Sequence, residues 1–179
     1  AAVPPSLLAQ TRAAPSTRTV VPDVAPEKLF AAIVKVNVRA TPDARSSATL
    51  GTEREGTGIV VGENGLILTI GYLIVEAEDV TVIDSKGRTL AAQVVGYDHA
   101  TGFGLLRTLA PLDVKPVVFG DSTRVAERDP VMIATTGDDS INFAFVVSKR
   151  PFSGSWEYAL DQAIFTSPPT TGWSGAALV

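Results

Sequence analysis

The residues best suited to chemistry lie near the end of the sequence, in the stretch Gly172-Trp173-Ser174-Gly175. A serine between two glycines permits a sharp turn, and the backbone N–H groups of Gly172 and Ser174 can then face a developing oxyanion. This arrangement is typical of the nucleophile loop of a serine hydrolase. The alternative is a plain Gly-Ser-Gly turn between two strands. Which of these two interpretations is correct depends on whether the fold supplies a base, because a serine hydroxyl is a poor nucleophile until its proton is removed.

Few side chains could act as that base. The sequence contains one histidine, His99, and no cysteine. The lack of cysteine excludes a disulfide framework, a thiolate metal site and a cysteine nucleophile, and a single histidine argues against an imidazole-based metal site. We therefore expect no metal and no cofactor. His99 lies in a predicted turn, where we expect a solvent-facing ring, and Asp98 is expected to cap that turn.

Composition limits the class of protein. The 179 residues are 45% hydrophobic and carry a net charge of −4, which suits one compact domain or two small ones with a real apolar core. No apolar run approaches the roughly 18 residues needed to span a bilayer, so we predict that the chain does not cross a membrane. No cluster of lysine and arginine indicates nucleic-acid binding.

Short apolar strands with turn signals between them, at about ten-residue spacing, predict an all-β antiparallel barrel or sandwich. A first set lies in residues 29–112, with predicted strands at 29–40, 56–61, 66–70, 80–83, 89–97 and 104–109. Residues 41–55 are predicted to form a loop, and residues 72–77 a short helical turn. A second set lies in residues 113–179, with predicted strands at 131–135, 142–148 and 163–166.

Two further segments have distinctive compositions. Residues 1–28 are rich in Ala, Pro, Ser and Thr without helical or strand periodicity, and we interpret them as an extended arm or linker that becomes ordered by docking on a partner surface. Their composition is consistent with the start of a mature chain after removal of a signal peptide. A cloning boundary would give the same composition. Phe152, Trp156 and Tyr158 form an aromatic cluster that either lines a binding surface or closes the open end of a second barrel.

A family resemblance rests on five segments in matched order and spacing. They are residues 56–61, 64–69, 80–82, 94–98 and 172–175. Together they resemble the trypsin-like serine proteases of the HtrA/DegP type over about residues 30–179. The resemblance implies two perpendicular six-stranded antiparallel β-barrels, with the active site in the cleft between them. The chain stops at Val179, so we expect the second barrel to be incomplete at its C-terminal end.

The resemblance also assigns the positions of a catalytic triad. It places Ser174 at the nucleophile, Tyr72 at the histidine and Gly102 at the aspartate, and it makes the N–H groups of Gly172 and Ser174 the oxyanion hole. A phenol ionises near pH 10 and is a poor proton acceptor at pH 7, and bringing that ionisation down by three pH units would cost about 4 kcal/mol. The neighbours of Tyr72 supply no positive charge for this, and Gly102 cannot orient a base.

We therefore predict a trypsin-like domain that is a catalytically impaired pseudoprotease, which binds protein or peptide segments or scaffolds an envelope assembly. One alternative is an active HtrA-like endopeptidase that uses Ser174 with a rearranged triad. The other is an unrelated β-barrel with a coincidental Gly-Ser-Gly. The resemblance implies a periplasmic or secreted location. A barrel without its last strands has an unpaired edge, which predicts an oligomer or a partner chain that completes it.

Overall fold

The chain folds predominantly into antiparallel β-strands. The computed structural model describes residues 25–137, 140–155 and 158–179. The first six strands are Ile33–Ala40 (β1), Glu53–Gly62 (β2), Leu66–Ile70 (β3), Ala77–Ile83 (β4), Thr89–Asp98 (β5) and Phe103–Thr108 (β6). The other strands are Pro130–Ala134 (β7), Ile141–Ser153 (β8), Ala159–Ser167 (β9) and Ala177–Leu178 (β10). Short helices occur at Pro26–Ala31 (α1), Ser47–Leu50 (α2) and Gly71–Ile74 (α3), with a 3-10 turn at Ser122–Arg124.

Strands β1 to β6 form a closed barrel in the order β1-β2-β3-β6-β5-β4. In β1 the valines at 34, 36 and 38 alternate with polar residues, and all three are fully buried, because successive side chains of a strand point to opposite faces. They pack against Ile67 and Leu106 in the main hydrophobic cluster. This closed six-stranded barrel confirms the predicted architecture of the first half.

The last four strands form an open antiparallel sheet in the order β10-β7-β8-β9. The second half is thus an incomplete counterpart of the first, as predicted, with four strands among the described residues where a closed barrel would have six. A second hydrophobic cluster joins the halves. It contains Leu29 of α1 and Ile33 of β1, packed against Ala134 of β7 and Ala177 of β10.

The structure corrects several element boundaries. Residues 26–31 form α1, so the predicted arm does not extend to residue 28 and the predicted strand does not begin at residue 29. Pro26 at the start of the helix fits because proline has no N–H for a helix to satisfy there. The predicted loop at 41–55 contains α2 and the first residues of β2. The rest of the arm, residues 1–24, lies outside the described residues.

Candidate active site

The loop that carries Ser174 is fixed to the first barrel through β2. The carbonyl of Ser174 accepts a hydrogen bond of 2.8 Å from the N–H of Thr57. Gly175 has a φ of 79°, and a Cβ atom there would lie 2.2 Å from the carbonyl oxygen of Thr57. The same carbonyl accepts a bond of 2.7 Å from the Thr69 hydroxyl. Only glycine at position 175 combines this backbone conformation with so close an approach.

The loop is also attached to the second sheet. Ala177 of β10 pairs with Ala134 of β7, and Val179 exchanges two 2.8 Å backbone hydrogen bonds with Met132. The Ser174 loop therefore lies where the two halves of the fold meet. This is the place that the sequence predicted for a cleft.

Tyr72 reaches Ser174 across this cleft. It lies in α3, the single helical turn directly after β3, and its hydroxyl donates a hydrogen bond to Oγ of Ser174. The two residues are 102 positions apart in the sequence, so the fold brings them together. In a working serine–base pair the serine hydroxyl is the donor and the base accepts its proton. Here the direction is reversed, because the tyrosine donates and the serine accepts.

A buried arginine, which sequence reasoning missed, holds α3 in place. Arg54 of β2 is 6% exposed, and its Nη1 atom donates to the carbonyls of Tyr72 at 3.1 Å and Val75 at 2.6 Å. Its Nη2 atom donates to the hydroxyl of Ser46 at 2.7 Å, and that hydroxyl in turn donates to the Glu76 carboxylate at 2.6 Å. Burial lowers the pKa of the Arg54 guanidinium, and the negative charge of Glu76 opposes this effect. A guanidinium suits the site because its fork aims several donors at once.

At the position of the predicted aspartate, Gly102 has neither a side chain nor space for one. Its φ is 74°, and a Cβ atom there would lie 2.7 Å from Cγ of Tyr158. Tyr158 comes from the tip of the β8–β9 hairpin, which also donates a 3.0 Å bond from Ala159 N–H to the carbonyl of Ala100. Burial raises the pKa of Tyr158, and the nearby Tyr72 and Tyr97 raise it further. An aromatic ring from the second sheet therefore occupies this position.

Two members of the predicted aromatic cluster lie together. Phe152 lies near both Tyr158 and Phe165, with ring centroids 6.1 and 6.0 Å apart. Tyr158 also packs against Gly102 of the first barrel and against Gly154 of its own hairpin. Trp156, the third predicted member, lies outside the described residues.

Among the described residues, His99 makes no hydrogen bond with Ser174. It is exposed, as expected, and its ring packs edge-on against Tyr97 with centroids 4.3 Å apart. Asp98 caps the turn, as expected, by accepting bonds from the Ala100 N–H at 3.0 Å and the Thr101 hydroxyl at 2.6 Å. The bond from Thr101 is the main reason that the pKa of Asp98 lies below its ordinary value. In residues 25–137, 140–155 and 158–179, no Lys, Arg or His side chain hydrogen bonds with Ser174.

A small polar cavity adjoins Ser174. Its volume is about 230 Å³, and its lining includes Tyr72, Arg54 and the exposed carboxylates Glu53 and Glu55. The backbone N–H groups of Gly172 and Ser174 donate to no backbone carbonyl within the part of the chain that the structure describes. The cavity wall offers polar side chains to a ligand, and no described Lys, Arg or His side chain hydrogen bonds with Ser174.

The described residues contain no group of three or more His, Cys, Asp or Glu side chains arranged to hold a metal ion. None of their helices is long and apolar enough to cross a membrane.

Comparisons with known proteins agree with this architecture. The sequence profile of the trypsin-like peptidase domain matches residues 56–179. Over 120 residues the chain is 29% identical to the magnetosome formation protease MamE of Paramagnetospirillum magneticum, covering 64% of this chain and 16% of MamE. Over 79 residues it is 30% identical to a probable periplasmic serine endoprotease DegP-like of Brucella suis, covering 44% of this chain and 15% of that protein. The chain thus matches only about a sixth of the length of these two relatives.

A solved structure supports the same fold. The HtrA-type protease AlgW, solved with a tripeptide, superimposes with a TM-score of 0.70 at 20% identity. The match covers 86% of this chain and 48% of AlgW.

Proposed function

Because this chain belongs to the trypsin-like peptidase domain family, we propose that it is a catalytically impaired member that binds protein segments without cleaving them. Its two halves, residues 29–112 and 113–179, flank a binding cleft at Ser174. Ser174 occupies the nucleophile position, Tyr72 that of the histidine and Gly102 that of the aspartate.

The hydrogen bond from Tyr72 to Ser174 carries this proposal. A serine becomes nucleophilic when a base near neutral pH withdraws its proton. The Tyr72 hydroxyl donates to Ser174 instead and occupies a lone pair of the oxygen that would have to attack. The packing of Tyr158 against Gly102 supports the same conclusion, because it leaves no space for a carboxylate that could orient a base at position 72.

Binding of protein segments is supported by the donors and the cavity that remain. The N–H groups of Gly172 and Ser174 donate to no backbone carbonyl among the described residues, so we expect them to receive a peptide carbonyl, and the cavity beside Ser174 has polar walls. AlgW was solved with a tripeptide, and the named relatives include periplasmic and magnetosome-forming proteases. We therefore propose that the ligand is an extended polypeptide and that the protein acts in the cell envelope, where it scaffolds an assembly. A partner chain or a second copy can complete the four-stranded sheet at its unpaired edge.

The catalytic half of the proposal is tested with a fluorophosphonate probe and with unfolded casein. We expect Ser174 to remain unlabelled and casein to remain uncleaved over hours, with Ser174→Ala as the control. Labelling that disappears in Ser174→Ala, together with casein cleavage, would show instead an active endopeptidase with a rearranged triad.

The binding half is tested by fluorescence anisotropy with a labelled peptide from unfolded casein. Glu53→Lys changes the charge of the cavity wall, and we expect it to change the dissociation constant at least threefold. Glu63→Lys makes the same charge change in the exposed β2–β3 turn and serves as the matched control. Equal affinities for both variants would place the binding site elsewhere.

A further inference from the structure

One face of β8 carries a continuous row of exposed apolar side chains. Ile141, Phe143 and Phe145 alternate along the strand and point to the same face, and Val147 follows them at a β-bulge. Their exposed fractions are 41, 75, 57 and 49%. We call these four residues the β8 row. We propose that the β8 row is a docking surface for the part of this chain that precedes α1, with residues 19–24 lying across it.

The exposure of the β8 row does not come from a poorly packed strand. On the opposite face of β8, Ala144 and Val146 are 2% and 1% exposed. A sheet with one buried face normally places polar residues on the other. Contiguous exposed apolar residues, in contrast, mark a site where something else binds.

The β8 row continues directly from the cluster that holds α1. Ile141 lies opposite Ala134 in the sheet, and Phe143 lies opposite Met132, so each pair shares a face. Ala134 is fully buried against Leu29 of α1, and Met132 packs on the same cluster. The cluster that holds α1 therefore adjoins the Ile141 end of the β8 row.

The length of chain before α1 is sufficient to cover the β8 row. Twenty-four residues precede Ala25, and the adjacent valines Val20 and Val21 come six and five residues before Pro26. At about 3.3 Å per extended residue, the valines can lie up to about 20 Å from the start of α1, which is also the approximate length of the row. Residues 19–22 carry no charge.

A tethered segment suits the β8 row better than a second copy of the chain does. Four side chains offer much less than the roughly 800 Å² per partner that a stable interface between separate molecules buries. A segment attached a few residues away reaches the row at a high effective concentration and needs no such area.

The chain has no cysteine, so a pair of engineered cysteines can test the contact without background. In the full chain at low micromolar concentration, we expect Val21→Cys with Phe143→Cys to form an intramolecular disulfide at least tenfold faster than Val21→Cys with Ser85→Cys. Ser85 lies in the exposed β4–β5 turn and serves as the matched control. Equal rates would overturn the proposal, and so would disulfide-linked dimers as the main product, which would assign the row to a second copy.

A second measurement needs no cysteine. Val20→Asp with Val21→Asp should release the segment and raise the fluorescence of an added apolar dye severalfold. Phe143→Ser with Phe145→Ser in the same chain should abolish that rise. An unchanged dye signal in the aspartate variant would overturn the proposal independently of the disulfide experiment.

Discussion

The ring of Tyr158 lies so close to Gly102 that a Cβ atom at residue 102 would be 2.7 Å from Cγ of the ring. Gly102 belongs to the first barrel and Tyr158 to the β8–β9 hairpin of the second sheet. The contact therefore has two consequences. It joins the two halves of the fold, and it leaves no space for a side chain at residue 102, the position that we propose corresponds to the triad aspartate.

Replacing Gly102 with alanine should lower stability for two reasons, the backbone conformation and the contact with Tyr158, and the two effects can be measured separately. Gly87 has a φ of 77° with no atom within 4 Å of a Cβ, whereas Gly102 has a φ of 74° with the Tyr158 ring in the way. We expect Gly87→Ala to lower the free energy of unfolding by about 1 kcal/mol, which is the cost of the left-handed conformation. Gly102→Ala should cost about 1–3 kcal/mol more, because it also overpacks the Tyr158 contact.

Urea denaturation measures both losses. In a Tyr158→Ala background, the loss of unfolding free energy caused by Gly102→Ala should fall to the loss caused by Gly87→Ala. Equal losses in the two single variants would mean that Tyr158 does not restrict residue 102.

Restoring the histidine should not restore activity. In Tyr72→His the imidazole would have no carboxylate to orient it, since residue 102 is a glycine. We expect casein turnover to stay at the level of Ser174→Ala, which corresponds to a loss on the order of 10⁶ relative to an intact triad. Turnover by Tyr72→His alone would contradict this expectation.

The hydrogen bond between Tyr72 and Ser174 should be measurable as a coupling energy. Tyr72→Phe and Ser174→Ala each remove one partner, and a double-mutant cycle isolates their interaction. We expect a coupling of about 1 kcal/mol, which is typical of a hydrogen bond between neutral groups. Tyr97→Phe paired with Ser174→Ala is the control and should give a value near zero.

Arg54 should be irreplaceable by other long side chains. Arg54→Met would leave the carbonyls of Tyr72 and Val75 without donors, at about 1–3 kcal/mol for each buried group. Arg54→Lys should recover only part of this loss, because an ammonium cannot reproduce the planar fork. Arg45→Met, at an exposed position, is the control. Full stability of Arg54→Lys would show that charge alone holds α3.

The β4–β5 turn should show a defined pH dependence. Burial alone would raise the pKa of Asp84, but hydrogen bonds from Arg88 and Lys86 outweigh it, so the pKa lies below its ordinary value. A carboxyl with a lowered pKa in the folded state contributes stability above its unfolded pKa of about 4, and that contribution is lost as the pH falls through the folded pKa.

We therefore expect Asp84→Asn to lower the free energy of unfolding by about 2 kcal/mol at pH 7. The difference from the wild type should shrink as the pH drops below about 4. Asp43→Asn, at an exposed position, should change little at either pH. A loss that stays constant down to pH 2 would exclude a contribution from the carboxylate charge.

The elements that follow local patterns were predictable. Short apolar runs between turn signals located five strands of the first barrel well, and the family resemblance led us to expect Tyr72 near Ser174, where the structure has it. The predicted element boundaries were wrong where local composition and tertiary contacts favour different structures. The apolar composition from residue 29 onward suggested a strand. Residues 26–31 are instead helical, because Leu29 packs into the cluster between the two halves.

Two residues of the site could not be found from local patterns. Tyr158 meets Gly102 across 56 positions through a hairpin whose tilt is a tertiary property, and an aromatic residue near a turn carries no signal for it. Arg54 looked like part of a polar loop. It stands between Glu53 and Glu55, and nothing in this polar stretch indicates that its charge is buried.

The packing of Gly175 against Thr57 affects how such chains should be classified. That glycine is required by the distance between two backbones, and the requirement remains whether or not any bond is ever cleaved. A Ser-Gly signature at this place in the fold therefore records how the loop is built. By itself, this signature does not distinguish a peptidase from a binding protein of the same fold.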